Sequence, residues 1–209
     1  MIPRLHLVTD DRVLARPDFP DIAAAVLQRC GPHAALHVRG HSTPARRLYE
    51  VAAALSVAAL RAGSWLIVND RIDIAMAVRA NGVQLGVRSL DIPDARRLLG
   101  AGARIGYSAH SAPEAATAAA LGADWIFAGS IYPTASHPEG TAAGLDLLRA
   151  TADGVGDCPV IAIGGVTADR VAVCLDAGAY GVAVLRGAWE GDGAGVGEYL
   201  GGLGVGLGA

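Results

Sequence analysis

The chain lacks any uninterrupted apolar run near the roughly 20 residues that a membrane-spanning helix needs, which excludes a helical membrane protein. It also lacks a basic excess: 17 Lys+Arg stand against 20 Asp+Glu, for a formal net charge of −3. No basic stripe offsets that charge, so general nucleic-acid binding is excluded, although a few local arginines suffice for a small anion. Cysteine is scarce and wrongly spaced for metal. Cys30, Cys158 and Cys174 contain no Cys-x-x-Cys pair and sit in apolar contexts, so they read as small core residues rather than zinc or iron–sulfur ligands. The first residues show no signal-peptide layout, and cytoplasm is the expected location.

What the chain has is 52 % hydrophobic residues in short runs separated by helical patterns. The β-rich runs are Leu5–Val8, Ala35–Arg39, Trp65–Asn69, Gly82–Leu85, Arg104–Ser108, Trp125–Gly129, Val160–Gly164 and Gly181–Arg186. Most are continuously apolar, as parallel strands covered by helices should be. Between them, apolar residues recur at helical spacing in Asp21–Cys30, Pro44–Arg61, Arg71–Ala80, Ile92–Leu99, Pro113–Leu121, Ala143–Ala152 and Ala168–Ala177. Pro44, Pro93 and Pro113 suit first turns, while Gly31, Gly63, Gly100, Gly122 and Gly178 suit helix stops.

Eight βα units in 209 residues predict a single-domain α/β (β/α)8 TIM barrel spanning 1–209. An open doubly wound sheet shares the alternation, but no Gly-x-Gly-x-x-Gly follows the first strand, where Val8-Thr9-Asp10-Asp11 stands. The glycine-rich segment 191–209 predicts a weak final helix.

In such a barrel, chemistry belongs on the loops after the strands. Gly164-Gly165 and Arg186-Gly187 follow the last two strands, where glycine-ended turns leave backbone N–H groups free for a phosphate. The other loops present Thr9-Asp10, Arg39-Gly40-His41, Asn69-Asp70-Arg71, Gly86 to Ser89, Ser108-Ala109-His110 and Ser130 to His137. The mouth is polar, cationic in places and poor in carboxylate.

In order and spacing, several of these segments resemble the thiamine-phosphate synthase/TenI family. They are Val68-Asn69-Asp70-Arg71-Ile72-Asp73, Gly82-Val83-Gln84-Leu85-Gly86, Ile105-Gly106-Tyr107-Ser108-Ala109-His110, Gly129-Ser130-Ile131-Tyr132-Pro133-Thr134 and Ala162-Ile163-Gly164-Gly165. The resemblance covers nearly the whole chain and implies a small-molecule thiazole phosphate as ligand, with pairing of two barrels as a possible assembly. Two activities share this fold. A synthase couples an aminopyrimidine diphosphate to a thiazole phosphate with magnesium on the diphosphate, whereas the TenI-like branch isomerises a carboxylated thiazole phosphate without metal.

The departures from the synthase pattern favour the TenI-like branch. The family's Gln-x-Arg-x-Lys reads His37-Val38-Arg39-Gly40-His41, and its second acidic metal ligand falls in Gly86-Val87-Arg88-Ser89. Asp70 beside Arg88 is a poor magnesium site, with Asp91 as a possible substitute, because Mg²⁺ on a diphosphate seeks carboxylates and avoids a competing cation. The monophosphate side, with Thr134 and Ser136 matching the family hydroxyls, is retained. The expectation is therefore a thiazole tautomerase, an isomerase without cofactor or metal. Ser130 stands where that branch carries an acid/base histidine, and a hydroxyl cannot titrate near neutrality, so His137 and then His41 are the catalytic candidates. Arg39, Asn69, Asp70, Arg88 and His110 complete the substrate-binding set, while His6 and His37 read as structural. A magnesium-using synthase and a non-catalytic binder of thiazole or thiamine phosphate are the alternatives.

Overall fold

The computed structural model describes residues 1–134 and 142–206. Eight parallel strands close into a barrel in sequence order, β1 (Leu5–Val8), β2 (Ala34–Val38), β3 (Trp65–Asn69), β4 (Gly82–Leu85), β5 (Arg104–Ala109), β6 (Trp125–Ala128), β7 (Val160–Ile163) and β8 (Gly181–Val184). Closure is direct: Leu5 of β1 lies opposite Ala34 of β2 on one side and Val182 of β8 on the other. The outer layer holds α1 (Asp11–Ala15), α2 (Phe19–Cys30), α3 (Ala45–Ala62), α4 (Ile72–Ala77), α5 (Ile92–Leu99), α6 (Ala112–Ala120), α7 (Gly144–Gly154), α8 (Val171–Asp176), α9 (Arg186–Trp189) and α10 (Val196–Gly202). Local chemistry sets the helix ends. Asp91 and Ser111 accept N–H bonds from Asp94 and Glu114 at the starts of α5 and α6, each followed by a proline. Gly63 ends α3 at φ 71°, which costs glycine little.

Strand alternation builds two cores. Outward residues such as Leu7, Leu36, Val68, Val83 and Ile126 pack under the helices. Inward ones, including Val8, Ala35, Ile67, Trp125, Phe127 and Ile161, fill the barrel. The Trp125 indole plugs the lumen and donates to Gln84 Oε1 at 2.8 Å, and Gln84 Nε2 donates to Ser108 Oγ at 3.0 Å. There is room for that plug only because β5 carries Gly106. A Cβ there would stand 2.2 Å from Trp125 Cε2 and 2.3 Å from Gln84 Oε1.

Beside the plug lie His6 and His37, both fully buried, with His6 Nδ1 2.8 Å from His37 Nε2 and His6 Nε2 3.0 Å from the Pro3 carbonyl. Burial pushes the His6 pKa down to about 3, against a smaller upward pull from Pro3, and pushes His37 well below its usual value.

A short helix closes the tail, where the sequence predicts a weak one. Despite its glycines, α10 forms and buries Val196 and Leu200, and it packs against α2. Trp189 Nε1 donates to the Val8 carbonyl at 2.7 Å, and Arg4 to the Leu203 carbonyl at 2.7 Å. Tertiary burial outweighs poor helix propensity here. Residues 207–209 lie outside the described part.

Two outcomes follow. Gly106→Ala should lower the unfolding free energy in urea by about 3 kcal/mol through overpacking. Acid should destabilise the chain through the buried imidazoles. Both are neutral when folded and would protonate near 6.5 when unfolded, so their contribution is intact above that pH and falls below it. Between pH 7 and pH 5 the loss should reach about 2 kcal/mol per imidazole, and it should shrink in a His6→Phe variant.

Candidate functional site

The C-terminal ends of the strands surround a cavity of about 1430 Å³. Its wall on the β2–β4 side begins with a hydroxyl stitch. Thr9 Oγ1 donates to the Arg39 carbonyl at 2.8 Å and receives the Arg39 N–H at 2.8 Å, which joins the ends of β1 and β2. Asp11, at the start of α1, gathers the next loop. It accepts from the N–H groups of His41 (3.2 Å), Ser42 (3.0 Å) and Thr43 (2.8 Å) and from the Thr43 hydroxyl (2.5 Å). The Thr43 hydroxyl and these amides hold the Asp11 carboxyl below its ordinary pKa, against a weaker opposing effect of burial.

Arg39 reaches from that loop into the cavity and contacts His41 Nε2 through its guanidinium. An arginine can only donate, so His41 Nε2 accepts and its proton sits on Nδ1. The Arg39 charge, followed by burial, keeps the His41 pKa below the usual imidazole value. His41 is neutral near pH 7. Burial pulls the Arg39 pKa down, while Asp70, Asp10 and Asp11 push it up and Arg88 opposes them. Arg39, Asp70 and Arg88 line the same cavity.

Asp70 sits at φ 61°, a left-handed conformation that aspartate tolerates better than most residues. Its carboxylate accepts from the Ser89 hydroxyl, and Ser89 Oγ in turn accepts the Gly86 N–H at 2.9 Å. The other carboxylates near this wall are already engaged. Asp10 caps α1, Asp11 ties the loop, and Asp91 caps α5. No group of three metal-ligating side chains occurs among the described residues.

Across the barrel, β7 is followed by Gly164 (φ 95°) and Gly165 (φ 63°). Only glycine fits: a Cβ on Gly164 would lie 2.6 Å from Ser130 Cβ, and one on Gly165 2.6 Å from the Pro133 carbonyl oxygen. The N–H groups of Gly165, Arg186 and Gly187 donate to no backbone carbonyl among the described residues, which leaves them for a ligand. Arg170 donates to the Gly165 carbonyl at 2.7 Å while its guanidinium covers the Tyr132 ring at 4.3 Å, bracing the turn. Thr134 also lines this wall. His110 lies between the two sides, with Nδ1 2.9 Å from the Gly129 carbonyl oxygen.

The structure thus brings Arg39, His41, Asn69, Asp70, Arg88, His110, Thr134, Gly164, Gly165, Arg186 and Gly187 around one cavity. Ser130 is elsewhere: it packs beneath Gly164 and does not line the space. Ser136 and His137 lie outside the described residues. Sequence reading named Gln84 and Ser108 in their segments but left both out of the binding set, although their inward places on β4 and β5 were legible from strand alternation. It also missed Tyr199, whose hydroxyl would stand 2.3 Å from a Cβ on Gly187, because nothing in the tail's sequence places it beside the turn after β8.

The family profile described as Thiamine monophosphate synthase matches residues 5–188. A thiamine-phosphate synthase of Salinispora arenicola is 41% identical over 186 residues, covering 87% of this chain and 87% of that protein. The thiamine biosynthesis bifunctional protein ThiM/ThiE of Symbiobacterium thermophilum is 42% identical over 168 residues, and the match takes 79% of this chain but only 34% of that longer protein. Among solved structures, thiamine phosphate pyrophosphorylase from Pyrococcus furiosus superposes with a TM-score of 0.79 at 30% identity, covering 96% of this chain and 93% of that one. These names overturn the tautomerase expectation. The isomerase reading rested on lost diphosphate residues, yet relatives near 40% identity carry the transferase name.

The loop anchor can be tested. Asp11→Ala should cost about 1 kcal/mol in urea unfolding near pH 7, as loss of a cap does, and should speed amide exchange at Ser42 and Thr43. Because the Asp11 pKa is lowered in the fold, its contribution is present above the unfolded value and fades as pH falls through the folded one. The gap between wild type and variant should therefore close in acid.

Proposed function

The chain belongs to the thiamine monophosphate synthase family, and from that premise we propose that it couples an aminopyrimidine diphosphate to a thiazole phosphate with release of diphosphate. One observation carries the reading: two anion-facing walls stand across a single cavity. That cavity, at about 1430 Å³, exceeds the roughly 300–1,000 Å³ of a one-ligand pocket. The glycine turns after β7 and β8 take the monophosphate on free N–H groups and orient the thiazole toward the barrel axis. Arg39 and Arg88 take the leaving diphosphate, on which negative charge grows as the bond to carbon breaks. Asn69, Gln84 and Ser108 supply the polar floor between them.

Magnesium is implied on the diphosphate by the family resemblance, but this chain's donors do not fit it well. Among the described residues Asp70 is the sole carboxylate on that wall not spent on a cap or loop, it already accepts from Ser89, and Arg88 lines the same cavity. The two guanidinium groups, with their forked donors, suit phosphate oxygens directly.

Purified protein mixed with the aminopyrimidine diphosphate and thiazole phosphate should form thiamine phosphate, followed by chromatography with and without added magnesium. Arg39→Ala should slow turnover by about 100-fold, the usual effect of removing one oriented donor from developing charge. No product under either condition would overturn the proposal.

A further inference from the structure

The starts of β3, β4 and β5, at the opposite end of the barrel from the mouth, frame a second hollow of about 430 Å³. Trp65 opens β3, Asn81 precedes β4 and Arg104 opens β5, while Arg79 follows α4 and Leu99 ends α5. That volume falls within the roughly 300–1,000 Å³ of a pocket for one small molecule.

The polar side chains of this hollow have donors to spare and no acceptors. Trp65 is half-buried, and its indole N–H makes no hydrogen bond among the described residues. Trp125 and Trp189, by contrast, give theirs to Gln84 and to the Val8 carbonyl. Asn81 Oδ1 accepts the Leu66 N–H at 2.8 Å, which fixes the amide with its nitrogen left to donate. Arg104 Nη1 is held by Asp124 at 2.8 Å, while its Nε and Nη2 have no partner among the described residues. The exposed Arg79 guanidinium has neither a hydrogen bond nor an ion pair among them. Among the described residues no carboxylate lines the hollow. Asp124 is already shared by Arg96, Arg104 and the Ile105 N–H, each at 2.8 Å. Spare donors without a spare acceptor match a ligand rich in acceptors and negative charge.

The backbone holds this frame in place. The Asn81 N–H donates to the Leu66 carbonyl at 2.8 Å, and the Asn81 carbonyl accepts the Arg104 N–H at 3.0 Å. The segment between α4 and β4 is thereby tied to β3 and β5. Arg79, within it, stands at φ 52°. Glycine or asparagine is at ease in that conformation past a helix end. What an arginine adds there is its guanidinium. Trp65 and Leu99 supply apolar surface that a planar ring can cover.

We propose that this hollow is a second ligand site, for a small phosphate monoester that carries an aromatic ring. Arg79 and Arg104 take the phosphate oxygens, Asn81 Nδ2 and the Trp65 N–H add neutral donors, and the ring covers Trp65 and Leu99. Phosphate is favoured over carboxylate because it brings more oxygens and about two charges to two guanidinium groups. The site is separate from the mouth and does not depend on the synthase reading.

Adenosine 5′-monophosphate is the probe, read through the indole N–H signals of the whole protein by nitrogen-15 NMR. Trp65→Phe removes one signal and so identifies it. About 1 mM probe, a modest affinity for one small anion, should shift the Trp65 signal. Arg39→Ala, on the mouth wall, should leave that shift unchanged. Arg79→Asn suits the left-handed backbone and keeps the fold, and it should weaken the probe by about tenfold, the worth of one charge-assisted bond. Inorganic phosphate and adenosine should each need about tenfold more ligand for the same response. An unmoved Trp65 signal, a shift at Trp189 alone, or a response that Arg39→Ala abolishes would sink the site. So would full affinity in Arg79→Asn. Equal response to inorganic phosphate would refute the aromatic part of the assignment.

Discussion

A closed eight-stranded barrel turns half of every strand inward, and that interior must be filled without leaving polar atoms unpaired. Trp125 meets the demand by spanning the lumen against Gly106 and giving its N–H to Gln84. This plug sets the floor of the cavity above it. Gln84, held by Trp125, in turn holds Ser108, so two floor residues are oriented by one buried indole. Packing of the plug and geometry of the site are the same constraint seen from two sides.

The second organising element is how charge is distributed around the mouth. All seventeen basic residues of the chain are arginine, so wherever a cation is needed it arrives as a planar fork that cannot lose its proton. Arg39 donates to a neutral His41, while Arg88 adds a second positive field to the same wall. The nearby carboxylates are drawn into caps and loop ties, which keeps the fork of Arg39 directed at the cavity. Below this charged rim the floor is kept neutral. His6 and His37 hold no charge because burial makes it too costly, and hydrogen bonding replaces ion pairing there.

Much of this was legible in the chain. The strand expectations for β1, β3 and β4 coincide with the observed residues, since continuous apolar runs bounded by turn residues mark buried parallel strands. The tight turn after β7 was legible because two successive glycines after a strand mark backbone that other residues rarely adopt, and the structure gives both a positive φ. The short helices α1 and α9 were not visible, because four or five residues are too few to show a period. The tail is a separate case. Its glycines argue against a helix locally, and only docking of Val196 and Leu200 makes α10 worth forming.

Chemistry was less legible than fold. Replacement of the family's metal and diphosphate residues pointed toward the isomerase branch, but the relatives near 40% identity carry the synthase name. Residue types along the strands and at their ends determined that this chain is a barrel with a polar, arginine-bearing mouth, because strand period and turn chemistry are local properties. Tertiary structure alone decided what each polar group does. It spends Asp91 on a helix cap, tucks Ser130 under Gly164, and sets His6 against His37 across 31 residues of sequence. Hydrogen-bond partners and burial come from distant parts of the chain, and no spacing in one strand can encode which strand will face it.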